Sequence, residues 1–313
     1  MQRFTRKMDM AAAQAGSTQV VGSYIALVLI WAATPLAVVW SISGIHPMWG
    51  LIGRYTFSLL LMLPLLKLLQ QRFPVNRIAL KSYAAGSMNL IGGQFFMYLA
   101  ASYLSSSLIA LMYGFAPLLA GVVGHSILKT QKLKWFQWLG MVIALIGLIV
   151  VFLGQQNSGF HLIGVGMMMV SLVSYVFSIF WVKSINAPVP AMAQATGSIA
   201  ASFLLSMLIV PFVWQYFPSE IPSAKALSGL AFTVLASSVI AMLCYFSLLR
   251  QLAPSTIALT NVMTPIVAMG LGAMLNNEHI SFTAVCGMVT VITGLLLYFG
   301  QEMLGLIKKP KTA

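Results

Sequence analysis

The chain has 313 residues, 60% of them apolar and 7% charged, with a mean hydropathy of +0.94. A soluble domain carries about a quarter charged residues and could not hide so much apolar surface, so the main solvent is lipid. The net charge of +13 does not point to nucleic acid, because the 17 Lys and Arg lie between apolar runs and form no basic stripe.

In chain order, residues 1–19 are basic, then small and polar, and read as a cytoplasmic tail. The first apolar run starts at Val20 and continues for a full span, as an uncleaved first helix does. Ten runs are recognisable, at 20–41, 47–68, 82–103, 106–128, 135–154, 162–183, 191–214, 226–249, 255–276 and 281–301. A spanning helix needs about 20 residues, and these runs lack the alternation of a membrane barrel. The expected class is therefore all-α: a polytopic membrane protein with ten transmembrane helices.

Charge tests the count. The tail and the loops that share its side hold 15 Lys and Arg; the opposite loops hold Lys225 alone, and Arg54 lies inside a run. A helix missed or invented midway would destroy that split. The positive-inside rule then places both termini, including a basic tail at 302–313, in the cytoplasm.

The two halves repeat. Leu104 to Pro117, LSSSLIALMYGFAP, can be laid on Leu252 to Pro265, LAPSTIALTNVMTP. Further on, Gly140 aligns with Gly287 and Gly147 with Gly294; Pro47 matches Pro190 ahead of helices two and seven. Five helices is an odd number, so the second unit (162–301) enters the membrane inverted relative to the first (20–154). Inverted repeats are a transporter architecture, with the solute held near the midplane.

Several of these residues resemble a known family. The Trp31 region, Pro47 to Arg54 opening helix two, A-P and T-P on helices four and nine, and Gly-rich helices five and ten are similar to the drug/metabolite transporter superfamily in its EamA-like branch. The resemblance covers nearly the whole chain. It implies a small-metabolite carrier, often an exporter, with a central cavity built mainly by helices one to four and six to nine. One departure is visible: such proteins often carry a Glu after helix four as well as after helix nine. Here helix nine ends in Asn277-Glu278, but helix four ends in Lys129-Thr130.

The candidate solute-binding residues are Arg54, Tyr98, Tyr113, Gln94, Asn89, Trp31 and Asn261. Arg54 is the one formal charge well inside a run, and an arginine at a helix centre costs about 2.5–3.5 kcal/mol to insert, so it should face a cavity or a partner. Gly50, Arg54 and Ser58 share one small, polar face at four-residue spacing. Gln94, Tyr98 and Ser102 repeat that spacing on helix three, beside a face of Gly86, Asn89 and Gly93. Tyr98 offers an aromatic face plus a hydroxyl to a small amphipathic solute. Tyr113 precedes Pro117 by four residues and Asn261 precedes Pro265 by four, which makes the prolines candidate hinges. Ser171, Ser174, Ser178 and Trp181 form a stripe suited to close helix packing, as do Gly140, Ala144 and Gly147.

Enzyme chemistry finds no footing. The sole Asp is Asp9 and no Glu occupies a span centre, so paired aspartates and H-E-x-x-H are excluded. No two of His46, His125, His161 and His279 share metal-ligand spacing, and Cys244 and Cys286 read as small core residues. No cofactor is expected. The expected partners are a small solute and the bilayer, with the chain a monomer or homodimer. A lone arginine among aromatics leans towards a carboxylate-bearing solute such as an amino acid, moved by uniport or exchange; the alternative is export of hydrophobic or cationic drugs, with proton coupling.

Overall fold

The computed structural model describes residues 2–127, 129, 132–154, 161–252, 260–278 and 280–308; the side chains of 2–18, 261, 262 and 301–308 lie outside that description. Among the described residues there is no strand, and the helical chain falls into ten stretches. These are α1 (Gln2–Ser41), α2 (Pro47–Leu68), α3 (77–100), α4 (Ser106–Ile127), α5 (Trp135–Gly154), α6 (Leu162–Ile185), α7 (Ala191–Met207, then Val210–Val213), α8 (Ala224–Gln251), α9 (Thr260–Asn276) and α10 (Phe282–Lys308).

Seven of them are long and apolar enough to cross a membrane, and an eighth if α7 is taken with its continuation, bent by 54°. The other two are α3, whose Arg77, Lys81, Asn89 and Gln94 dilute its apolar character, and α9, whose described part has 17 residues. The chain is thus an all-helical polytopic membrane protein. Helix starts follow ordinary capping rules: the side chains of His46, Asn76, Ser105 and Ser223 accept backbone N–H bonds at the starts of α2, α3, α4 and α8.

Leu60 and Leu63 on α2 face outward at 60% and 48% exposure, while Gly50, Arg54 and Ser58 face inward, as the sequence pattern requires. The serine stripe of α6 is a packing seam: Ser178 Oγ donates to the Ala85 carbonyl at 2.7 Å, and Ser174 stands against Gly92 of α3. Trp181 leaves the stripe and faces outward, and Cys286 is exposed rather than a core residue. Both point towards the lipid that must surround the bundle, where an indole or a thiol is tolerated.

Four glycines join α5 to α10. A Cβ on Gly140 would stand 2.6 Å from the Gly294 carbonyl oxygen, and one on Gly147 would stand 2.7 Å from that of Gly287. The residue numbers run in opposite senses, so the two helices are antiparallel and their backbones touch. Gly147→Val and Gly287→Val should each destabilise the protein by about 1–3 kcal/mol or more through overpacking. Gly166→Ala, with open space around it, should not. Thermal unfolding in detergent checks the contrast; equal melting of all three would refute the seam.

Candidate functional site

Seven residues into α2, about 10 Å along its axis, Arg54 is buried to 1% exposure. Its Nε donates to Ser238 Oγ of α8 at 2.8 Å, and its Nη1 donates to Gln94 Oε1 of α3 at 2.7 Å. Hydrogen bonds to a charged group contribute about 1.5–3 kcal/mol each, enough to offset the insertion cost of the guanidinium. They do not neutralise it. None of the described residues lining the space around Arg54 is acidic.

That space is a small cavity between the helices, with about 50 Å³ open to the centre of a water-sized sphere. Trp31, Thr34 and Pro35 come from α1, Asn89 and Gln94 from α3, Tyr113 from α4, Tyr175 from α6, Ser237 from α8 and Thr264 from α9. Helices α5 and α10 supply no lining residue among those described, and neither does α7, which the family resemblance had placed on the cavity.

Two distorted helix segments shape this wall. Residues Met88–Gly93 of α3 and Thr233–Ile240 of α8 are π-helical. The Gln94 N–H reaches back to the Asn89 carbonyl and the Ala241 N–H to that of Ala236, five residues in each case. A π turn brings residues five apart onto one face. It therefore aligns Asn89 with Gln94, and Ser237 with Met242, all four on the cavity wall. The extra turn also sets Ser238 to donate to the Thr233 carbonyl while accepting from Arg54.

An aromatic side faces the arginine. The Trp31 ring lies 6.1 Å from Tyr175 and 5.5 Å from Tyr245, and Tyr175 lies 6.0 Å from Tyr113. Ser171 donates its proton to the Gly93 carbonyl, so the Tyr113 hydroxyl donates to Ser171 at 2.7 Å. Ser237 donates to Thr34 by the same logic, because Thr34 donates to the Ile30 carbonyl. Asn89 is buried and lines the same wall.

Of the residues picked from sequence, Arg54, Gln94, Asn89, Trp31 and Tyr113 meet on this cavity. Tyr98 does not line it: it is fully buried one turn beyond Gln94, its ring against Gly50 and its hydroxyl without a partner among the described residues. The Asn261 side chain lies outside the described residues. The expected pair of proline hinges is unequal. Helix α4 breaks at Gly114–Phe115, and Pro117 opens its second part, whereas α9 runs unbroken through Pro265 from Thr260. Sequence reasoning missed Tyr175, Ser237 and Ser238. The adjacent serines in mid-span were the available signal for the last two.

A second cavity, with about 380 Å³ open to the centre of a water-sized sphere, lies at the other end of α3 and α8 and is lined by Lys183, Arg250 and Gln194 among others. Lys183 there caps α8 by donating to the Leu252 carbonyl at 3.1 Å.

The EamA-like transporter family matches residues 20–153 and again 162–300, giving two repeats in one chain. An Escherichia coli K12 protein named as the uncharacterized inner membrane transporter YedA is 26% identical over 262 residues, 83% of this chain and 84% of its own. The Bacillus subtilis uncharacterized transporter YoaV is 22% identical over 282 residues, 87% of this chain and 94% of its own. A protein crystal structure superposes with a TM-score of 0.65 over 94% of this chain and 99% of that one, at 17% identity, which shows a shared fold. The chain belongs to the EamA-like transporter family and is a membrane transporter rather than an enzyme.

Proposed function

We propose that the protein carries a small carboxylate-bearing solute across a bacterial inner membrane by alternating access, as uniport or exchange. The observation that carries this is Arg54: buried at the cavity wall, held by two neutral acceptors, and faced by no lining carboxylate. A charge kept in that state costs free energy that an incoming anion would recover. With Nε and one Nη1 proton engaged, the remaining Nη protons are free to grip a carboxylate in the bidentate manner of guanidinium. The aromatic side suits the rest of a small amphipathic solute, such as an amino acid, and movement is outward when the solute is concentrated inside.

The proposed architecture is ten spans in two inverted five-helix units, 20–154 and 162–301, with 1–19 and 302–313 as cytoplasmic tails and the units rocking about the cavity. The glycine seam supports inversion. The repeat register pairs Gly140 with Gly287 and Gly147 with Gly294, yet the touching pairs are Gly140–Gly294 and Gly147–Gly287. Such exchanged contacts are what a two-fold axis between repeats produces. The chain acts as a monomer or homodimer.

Two measurements test this reading. A thermal-shift screen of the purified protein should show stabilisation by carboxylates and not by their methyl esters, with each hit then assayed for flux in vesicles. Stabilisation by cationic or neutral drugs alone would reverse the solute class. For topology, reporter fusions after Lys183 and at the C-terminus should read as cytoplasmic, and one after Gln156 as external. An external C-terminus would break both the ten-helix count and the inversion.

A further inference from the structure

The four helices that converge at one end of the cavity are tied by Glu278. Just beyond α9 the chain turns at Asn277, with φ +50°, and lays the Glu278 carboxylate on the first turn of α4. Oε1 accepts from the Ser106 backbone N–H at 3.0 Å and from its hydroxyl at 2.6 Å. Oε2 accepts from the Ser107 N–H at 3.2 Å and from the Ser107 hydroxyl. The carboxylate therefore meets four donors from α4, two of them helix-terminal N–H groups that otherwise lack partners.

The same knot reaches the other two helices. Asn276 donates from its amide to Glu278 Oε1 at 3.2 Å. Its Oδ1 accepts from Trp40 Nε1 of α1 and from Lys225 Nζ of α8, each at 3.0 Å. The Lys225 ammonium also lies 5.4 Å from the centre of the Trp40 ring. Space for the carboxylate is supplied by Gly272: a Cβ there would stand 2.6 Å from Glu278 Oε2 and 2.7 Å from Ser107 Oγ.

Helices α1, α4, α8 and α9 each also contribute cavity residues. From Ala110 to Ser106 the rise along α4 is about 6 Å, and from Thr264 to Asn276 along α9 about 18 Å, so the knot lies beyond one end of the cavity. By the charge distribution this end is the outer one, where Lys225 is the single basic loop residue.

We propose that Glu278 is a gate-positioning residue, latching the first unit to the second across the outer mouth so that the cavity is closed to the outside until these bonds break. This goes beyond the solute assignment and needs no solute for its test. In a chain with Cys244 and Cys286 replaced by alanine, Ala110→Cys serves as a reporter on the cavity wall. It is labelled with a membrane-impermeant thiol reagent applied to right-side-out or inside-out vesicles. Glu278→Ala and Gly272→Ala should each speed labelling from outside at least tenfold, since each removes or displaces charge-assisted bonds. Glu278→Gln, which keeps the shape but faces the serine donors with an amide, should fall between.

Gly272→Ala keeps the carboxylate, so it decides the matter if Glu278→Ala fails to fold. Unchanged external labelling in folded variants would overturn the latch. A rise seen from the cytoplasmic side alone would overturn its placement at the outer mouth. Neither result would bear on whether Arg54 holds a carboxylate, which is read separately by binding.

Discussion

Arg54→Gln is expected to reduce carboxylate binding and flux at least 100-fold while leaving the purified protein folded and monodisperse. Two lost charge-assisted bonds to a solute, at about 1.5–3 kcal/mol each, correspond to a factor of 100 or more. Folding should survive because the insertion cost of the arginine disappears with its charge, and glutamine can still meet Ser238 or Gln94. Arg54→Lys should keep a fraction of the binding, as a point charge without the planar fork. Gln94→Ala and Ser238→Ala leave the charge in place but release its orientation, so each should weaken binding by roughly 5–30-fold. Isothermal titration with a hit from the thermal screen, beside size-exclusion profiles, reads all four. Equal loss of fold in the Gln and Lys variants would make Arg54 a structural arginine and remove the basis for an anionic solute.

What could be read from the sequence divides along physical lines. Arg54 was legible because a charge inside an apolar run has few ways to exist, and the inward face of Gly50, Arg54 and Ser58 followed from α-helical spacing alone. The same spacing misplaced the wall of α3. Asn89 and Gln94 are five apart, which an ordinary helix sets on different faces; only the π segment brings them together. Tyr98 keeps the α-helical spacing from Gln94, but one turn further along it packs its ring on Gly50 instead of lining the cavity. No short pattern in the sequence announces a π turn, so the adjacent serines Ser237 and Ser238 were visible in mid-span without any sign of which face they take. The Glu278 knot was out of reach differently. Ser106 and Glu278 are separated by 172 residues, and nothing local in either shows the other as its partner.

Uphill accumulation of solute driven by a pH gradient alone is not expected. A proton-coupled carrier generally exchanges protons at a membrane-embedded Asp, Glu or His as access alternates. Here the sole Asp lies in the N-terminal tail, at position 9, and the Glu278 carboxylate sits at the outer end of the bundle in bonds to α4. His125 is half-buried near the end of α4, where its Nδ1 accepts from the Leu133 N–H at 3.2 Å and its ring meets Trp138 edge-on at 5.9 Å. That histidine is occupied by its loop and does not line the cavity. Among the described residues that do, Arg54 is the one formal charge, and none is a carboxylate or an imidazole. A carrier built this way follows the solute gradient, so proteoliposomes preloaded with unlabelled solute should draw in labelled solute by counterflow. The rate should be the same whether the imposed pH gradient is inward, outward or absent, with the voltage clamped. Accumulation above the external concentration under the pH gradient, without preloaded solute, would show a proton path through the tyrosines or ordered water and would end the uniport and exchange reading.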